Sequence, residues 1–139
     1  MATRASEAIR ALRKDAEGRP EPTLAIGHLE LPAVDVAKTT RFLVEMGMLR
    51  VVLREQLAVL ELRGGTHIVV KQADGPAPAA PLPFDLMVDD LEAARRKAQM
   101  LGAEPSEIRL GRIHDSFTLT DPSGHTIQVV SSHTVWQES

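Results

Sequence analysis

The alternation of apolar and polar residues changes its period along the first half of the chain. It has the two-residue period of a strand from Leu24 to Leu31, and then the helical period from Val36 to Met46. Asp35 is suited to cap that helix, and Gly47 to end it. Three further runs have strand character: Leu49 to Arg54, Leu57 to Arg63 and His67 to Lys71. The first half is therefore predicted to have the element order βαβββ.

The second half repeats this order of elements. A strand is predicted at Phe84 to Val88 and a helix at Leu91 to Leu101. Three strand candidates follow: Glu107 to Ile113, Ser116 to Thr120 and Thr126 to Val130. The helix cap and stop, Asp90 and Gly102, lie 55 residues after those of the first half, and Gly124 lies 59 residues after Gly65. Because the two halves align at both ends, we interpret the chain as an α+β protein of two tandem βαβββ units.

The patterns also predict the domain boundaries. These are an appendage at 1–23, a first unit at 24–72, a linker at 73–81, a second unit at 82–132 and a tail at 133–139. The two units together form a single domain, because 139 residues are too few for two ordinary ones. The appendage contains a short helix candidate, Ser6 to Leu12, which is interpreted either as a loosely docked helix or as one that binds a partner.

Composition and charge exclude several classes of function. The net charge of −3 comes from 16 basic and 19 acidic residues without a basic stripe, so no nucleic acid partner is expected. No cysteine is present, which excludes thiolate metal sites and a thiol nucleophile. No apolar run is long enough to span a membrane, and the charged N-terminal residues do not suit a signal peptide, so a cytoplasmic location is expected. Neither a phosphate-binding glycine loop nor a serine nucleophile motif is found.

Two segments resemble a known family. One opens the first unit, His28-Leu29-Glu30-Leu31-Pro32-Ala33-Val34-Asp35, and the other closes the second, Asp121-Pro122-Ser123-Gly124-His125-Thr126-Ile127-Gln128. They are similar to the vicinal oxygen chelate superfamily of glyoxalases, bleomycin resistance proteins and extradiol dioxygenases, over about Leu24 to Ser132. The resemblance implies a curved, mostly antiparallel sheet cup with helices outside. It further implies that two units enclose a cavity, either within a chain or by exchange between the chains of a homodimer.

Strand alternation divides the side chains between a core and a cavity wall. Those predicted on the wall are His28, Glu30, His67, Val69, Lys71, Pro83, Asp85, Met87, Thr126, Gln128 and Val130. The resemblance implies four metal-ligand positions, which hold His28, Val69, Pro83 and Gln128 here. Val69 and Pro83 offer no donor, whereas a catalytic divalent metal needs about three protein ligands. No metal cofactor is therefore expected, and the alternative is a metal held by His28 and Gln128 with substitute ligands.

Several wall residues have more than one interpretation. Glu30, His67 and Asp85 could be substitute ligands, but each lies about 7 Å along a strand from a family position, so the metal would have to shift. Without a metal, His28 could act as a general base oriented by Glu30 or Asp85. Glu30, Lys71 and Asp85 could equally form an ion-paired wall that shapes a pocket.

The remaining histidines and aromatic residues are not predicted to bind a ligand or to take part in catalysis. His114 is predicted in a surface turn, and His125 and His133 are predicted to point outward or lie at the terminus. Trp136, in the tail, could anchor the C-terminus. Three phenylalanines and no tyrosine give little stacking surface for a large planar drug.

The sequence favours a metal-independent protein that binds a small molecule. Its predicted ligand-binding residues are His28, Glu30, Lys71, Asp85 and Gln128. The first alternative is a metal-dependent lyase, isomerase or dioxygenase with a rearranged site. The second is a dimeric interaction module whose cup is filled by its own side chains. Whether the protein is an enzyme is left open by the sequence.

Overall fold

A computed structural model describes residue 20, residues 22–78 and residues 80–132. The predicted helix of the appendage, His133 and Trp136 lie outside these ranges. The described part is α+β, as predicted, with two helices and two mixed sheets. None of its helices is long and apolar enough to cross a membrane.

The first unit has the predicted βαβββ order. Its elements are β1 (His28–Ala33), α1 (Val36–Met46), β2 (Leu49–Leu53), β3 (Leu57–Glu61) and β4 (His67–Gln72). They form a four-stranded sheet in the order β1-β4-β3-β2, in which only the β1 and β4 pair is parallel. The predicted cap is confirmed, because the Asp35 carboxylate accepts a hydrogen bond from the Lys38 N–H at 3.0 Å. Gly47 ends the helix at a φ of 128°, which a residue with a side chain rarely adopts.

The second unit is less regular than predicted. Its elements are β5 (Leu86–Val88), α2 (Leu91–Met100), β6 (Ser116–Thr120) and β7 (Thr126–Ser131), and its sheet has the order β5-β7-β6. The strand predicted at Glu107 to Ile113 is reduced to a single bridge between Arg109 and Ser116. The chain turns away at Gly111, where the backbone approaches the His114 carbonyl so closely that a Cβ would overlap it. Residues 110–115 therefore form the loop between this bridge and β6.

Both units contribute to one hydrophobic core. Residues of the first sheet, such as Leu31 and Ile68, belong to the same buried cluster as Phe117 and Ile127 of the second sheet. Helix α1 packs on the first sheet, α2 packs on the second, and the two helices contact each other. Each sheet is thus covered by a helix on one face and left open on the other. The two units thus share one hydrophobic core.

A turn of the second unit is hydrogen-bonded to the first unit. This turn, residues 121–125, is called the inter-unit turn. The Ser123 Oγ accepts the Val34 N–H at 3.0 Å and lies 3.1 Å from the Thr39 Oγ1. His125 Nε2 lies 2.7 Å from the Pro32 carbonyl oxygen and donates to it. The prediction that His125 points outward is therefore wrong, since the residue is only 4% exposed.

The inter-unit turn also caps one edge of the first sheet. The carbonyls of Gly27 and Ala33 accept hydrogen bonds from residues of the β4 segment. Because alternate residues of a parallel strand bond to the same neighbour, the backbone groups of His28, Glu30 and Pro32 point to the free edge of β1. Proline has no N–H to expose there, and His125 binds the Pro32 carbonyl. The C-terminal half of this edge is therefore blocked, and the N-terminal half remains open to pairing.

Candidate functional site

The first sheet has an open side opposite α1, which we call the first face. In rows across β1, β4, β3 and β2, its side chains are His28, His67, Glu61 and Leu49; then Glu30, Val69, Val59 and Val52; then Pro32, Lys71 and Leu57. The three valines of the middle row are half-buried, whereas most of the surrounding polar residues are exposed. The face therefore offers an apolar centre with charged and imidazole groups along its sides.

Glu30 and Lys71 form an ion pair on the first face. The Lys71 Nζ lies 2.8 Å from the Glu30 Oε2, and the two side chains are 66% and 49% exposed for Glu30 and Lys71 respectively. At this exposure the pair contributes less than about 1 kcal/mol to stability. Its geometry agrees with the interpretation of these residues as an ion-paired wall. The Glu30 Oε2 is thus engaged by Lys71.

Glu61 and His67 form a second pair that the sequence reasoning missed. The His67 Nε2 lies 3.3 Å from the Glu61 Oε1, and both residues are half-buried. The rings of His67 and His28 lie side by side, with centroids 5.7 Å apart. The register places the three residues in one row across β1, β4 and β3. Strand alternation had put His67 on this face, but the pairing of β3 with β4 was needed to bring Glu61 beside it.

The second sheet also has an open side, which we call the second face. It is lined by hydroxyl and amide groups, with Thr118 opposite Gln128 and Thr120 opposite Thr126. Asp85 immediately precedes Leu86, the partner of Val129, so it lies at the level of Gln128. Val130, also predicted on the cavity wall, is only 5% exposed and lines a cavity between the two units.

The loop before β6 is hydrogen-bonded to the end of β7, next to Val130. The His114 Nδ1 lies 2.6 Å from the Ser131 carbonyl oxygen, and the Asp115 N–H donates to the Ser131 Oγ. These bonds hold the loop against the end of β7. His114 therefore lies half-buried beside the strand, where the sequence predicted a surface turn.

The five predicted ligand-binding residues fall into two groups. His28, Glu30 and Lys71 lie together on the first face, and Asp85 and Gln128 lie together on the second sheet. All five are exposed, and the strands β1 and β5 that bear the two groups belong to different sheets. The described residues of one chain thus do not close a cup around them.

A cavity lies between the units and is called the seam cavity. Its volume is about 760 Å³, and its wall is mainly apolar, with Leu29, Met46 and Met48 from the first unit and Leu86 and Met87 from the second. An ion pair of Arg63 and Asp89, 2.8 Å apart, lies at this cavity. Of the predicted ligand-binding residues, only Asp85 contributes to its lining.

The metal-ligand positions implied by the family do not fit a metal. Val69 and Pro83 carry no donor atom on their side chains, and His28 and Gln128 lie on different sheets. Among the described residues, no group of three His, Asp or Glu side chains is placed to hold an ion. The donor set therefore falls short of the three protein ligands typical of catalytic sites.

Comparison with known proteins gives the family. Residues 28–130 match the profile of the glyoxalase-like domain, which covers more than half of the chain. No curated protein sequence matches this chain significantly.

Several solved structures share the fold. A lactoylglutathione lyase from Agrobacterium tumefaciens has a TM-score of 0.63 at 19% identity, over 80% of this chain and 96% of that one. The fosfomycin resistance protein FosX from Listeria monocytogenes has a TM-score of 0.67 at 14% identity, over 84% and 98%. An integron cassette protein from V. cholerae has a TM-score of 0.60 at 25% identity, over 80% and 97%. The first two similarities are evidence of a shared fold alone, whereas the profile match shows the family to which this chain belongs. The chain therefore belongs to the glyoxalase-like domain family of the vicinal oxygen chelate superfamily.

Proposed function

We propose that this protein binds a small polar or mixed-polarity molecule without a metal ion. The ion pair of Glu30 and Lys71 beside the valine centre of the first face is the observation that carries the proposal. A ligand with an apolar body could cover the valines, and its polar groups could exchange hydrogen bonds with Glu30, Lys71 and His28. The missing donors at Val69 and Pro83 support binding without a metal.

A homodimer would complete the binding site. The first and second faces are exposed in one chain, and β1 and β5 are edge strands of their sheets. Unpaired edges of this kind are normally covered in a stable protein. We infer that a second copy lays its second face against the first face, so that Asp85 and Gln128 of one chain meet the His28, Glu30 and Lys71 group of the other. Each dimer would then contain two cups, each formed by the first face of one chain and the second face of the other.

A thermal-shift experiment tests metal-independent binding. Chelator-treated protein is screened against hydroxy acids, 2-oxo acids and amino acids, and at least one probe is expected to raise the melting temperature. A probe at about 100 times its Kd stabilises by about 2.7 kcal/mol. Lys71→Met should remove this stabilisation, whereas Lys38→Met, on the exposed side of α1, should retain it.

Metal analysis separates the proposal from its first alternative. Protein purified without added metal is expected to contain far less than one divalent ion per chain. A stoichiometric ion, or stabilisation by the probes only after metal is added, would favour the metal-dependent lyase, isomerase or dioxygenase. A crystal structure of the dimer with its cup filled by side chains would favour the interaction module instead.

The proposed dimer interface includes β5, an edge strand of the second sheet. Met87 lies on β5 and is 48% exposed, so Met87→Glu is expected to place a charge in the interface and weaken dimerisation at least tenfold. Met100→Glu is the matched control, since Met100 ends α2 and is 79% exposed. Sedimentation equilibrium measures both. A wild-type protein that stays monomeric at all concentrations would contradict the proposed dimer.

A further inference from the structure

We infer that Glu61 and His67 form an acid–base dyad, in which His67 takes a proton from the bound molecule and Glu61 orients its ring. The inference rests on the proposed binding cup, because the dyad lies on the same face as the Glu30 and Lys71 pair. It assigns proton transfer to residues that do not occupy the four metal positions of the family. This pair takes the place of the pairing of His28 with Glu30 or Asp85 that the sequence allowed.

The hydrogen bond fixes the tautomer of His67. A carboxylate can only accept, so the Nε2 that faces Glu61 at 3.3 Å carries the proton. The lone pair then lies on Nδ1, which is the state required of a general base. This division of roles between an orienting carboxylate and an imidazole recurs in enzymes with unrelated folds.

The surroundings of His67 suit a proton transfer. His28 lies beside it on β1, Glu61 lies beside it on β3, and the Glu30 and Lys71 pair lies further along the same strands. Lys71 already neutralises Glu30, so the carboxylate that acts on His67 is that of Glu61. His28 forms no hydrogen bond within the described part of the chain, and its ring N–H can therefore bind a ligand oxygen.

These groups define the reaction class. His67 would take the proton from a hydroxyl-bearing carbon next to a carbonyl group, and the electron pair of the C–H bond would form a C=C bond. The π pair of the carbonyl group would move to its oxygen, which accepts the His28 N–H. The hydroxyl proton of the enediolate would then pass to the former carbonyl oxygen, and His67 would return its proton to the former carbonyl carbon. This gives the isomeric α-hydroxy aldehyde and regenerates the neutral imidazole. Atoms and charge balance without an oxidant, a reductant or a second reactant. The substrate class is a small carbonyl compound that enolises, such as an α-hydroxy ketone.

Exchange of carbon-bound hydrogen in D₂O tests the inference. Hydroxyacetone and dihydroxyacetone are incubated with chelator-treated protein, and loss of their C–H signals is followed by NMR. Wild type is expected to exceed His67→Gln by at least about a hundredfold, as general acid–base catalysis typically gives. Equal rates for wild type and His67→Gln, including no exchange above buffer in either, would overturn the inference.

The positioning role of Glu61 is tested by measurements that a merely structural role would leave unchanged. Glu61→Gln is expected to lower the exchange rate at saturating probe about tenfold or more and to leave the half-saturating concentration unchanged. Glu61→Asp should restore part of the rate. The His67 Nε2–H proton should give an observable NMR signal in wild type and lose it in Glu61→Gln. Glu45→Gln, on the exposed side of α1, is the control with wild-type behaviour. Unchanged rate and signal in Glu61→Gln would remove the positioning role.

The results also separate this inference from the proposed function. Probe-dependent stabilisation in His67→Gln, together with no exchange by wild type, would leave the binding proposal standing and remove the dyad. Exchange that requires His67 and occurs equally in monomeric Met87→Glu would retain the dyad and contradict the two-chain cup.

Discussion

Replacing Phe117 with alanine is expected to lower the free energy of unfolding by about 3–5 kcal/mol. Phe117 is 1% exposed and is the largest fully buried side chain in the described part of the chain. It lies on β6 opposite Val129, within the core cluster that both units share. The loss combines the transfer of an aromatic ring to water with the cavity left between the units. Guanidinium denaturation at several protein concentrations measures it.

Phe84→Ala provides the comparison for this substitution. Phe84 only packs against the edge of the same core and is half-buried, so its loss should cost about 1–2 kcal/mol. Because the core is shared, Phe117→Ala should unfold in a single transition that includes both units. Two separate transitions, with the first unit as stable as in wild type, would contradict a common core.

Much of this fold follows from local patterns. The predicted helix at Val36 to Met46 matches α1, and the strand predicted at Ser116 to Thr120 matches β6, because caps and alternation act over a few residues. The strand predicted at Glu107 to Ile113 is wrong because residues 110–115 form a loop after the bridge of Arg109 and Ser116, and alternation alone does not reveal this loop. β1 begins at His28 rather than Leu24, since the register with β4 begins with the pair of His28 and His67.

The site was harder to predict than the fold. Alternation correctly placed Glu30 and Lys71 on one face, and their partnership follows once β1 is known to lie beside β4. The Glu61 and His67 pair depends on the register of β3 against β4, which is set by the hairpin loop 62–66 and not by alternation. His125 was misplaced because its partner is the Pro32 carbonyl, 93 residues away in the chain. Contacts of this separation depend on how the two units pack.

Asp121→Ala is expected to destabilise the protein by about 2–4 kcal/mol. The Asp121 Oδ1 accepts the Ser123 N–H at 3.0 Å and the His125 N–H at 2.8 Å, and Asp121 itself is 4% exposed. Alanine would leave two buried N–H groups without a partner. It would also release Ser123 and His125, which bind the first unit at Val34 and Pro32. Asp74→Ala, in an exposed loop, should change stability by less than about 0.5 kcal/mol.

Asp121→Asn isolates the charge of this side chain, because the amide oxygen can still accept both N–H groups. Burial raises the pKa of Asp121 above its ordinary value of 3.8, while His125 and the backbone N–H groups oppose the shift, and the Oδ2 has no partner. The folded state therefore holds this proton more tightly than the unfolded chain, and ionisation costs stability as pH rises from 3.8 through the folded pKa. The stability of wild type minus that of Asp121→Asn should fall over this range and level off above it. Urea denaturation of both proteins at matched pH cancels the other carboxylates. A difference that stays constant with pH would show that the inter-unit turn does not bury a charge.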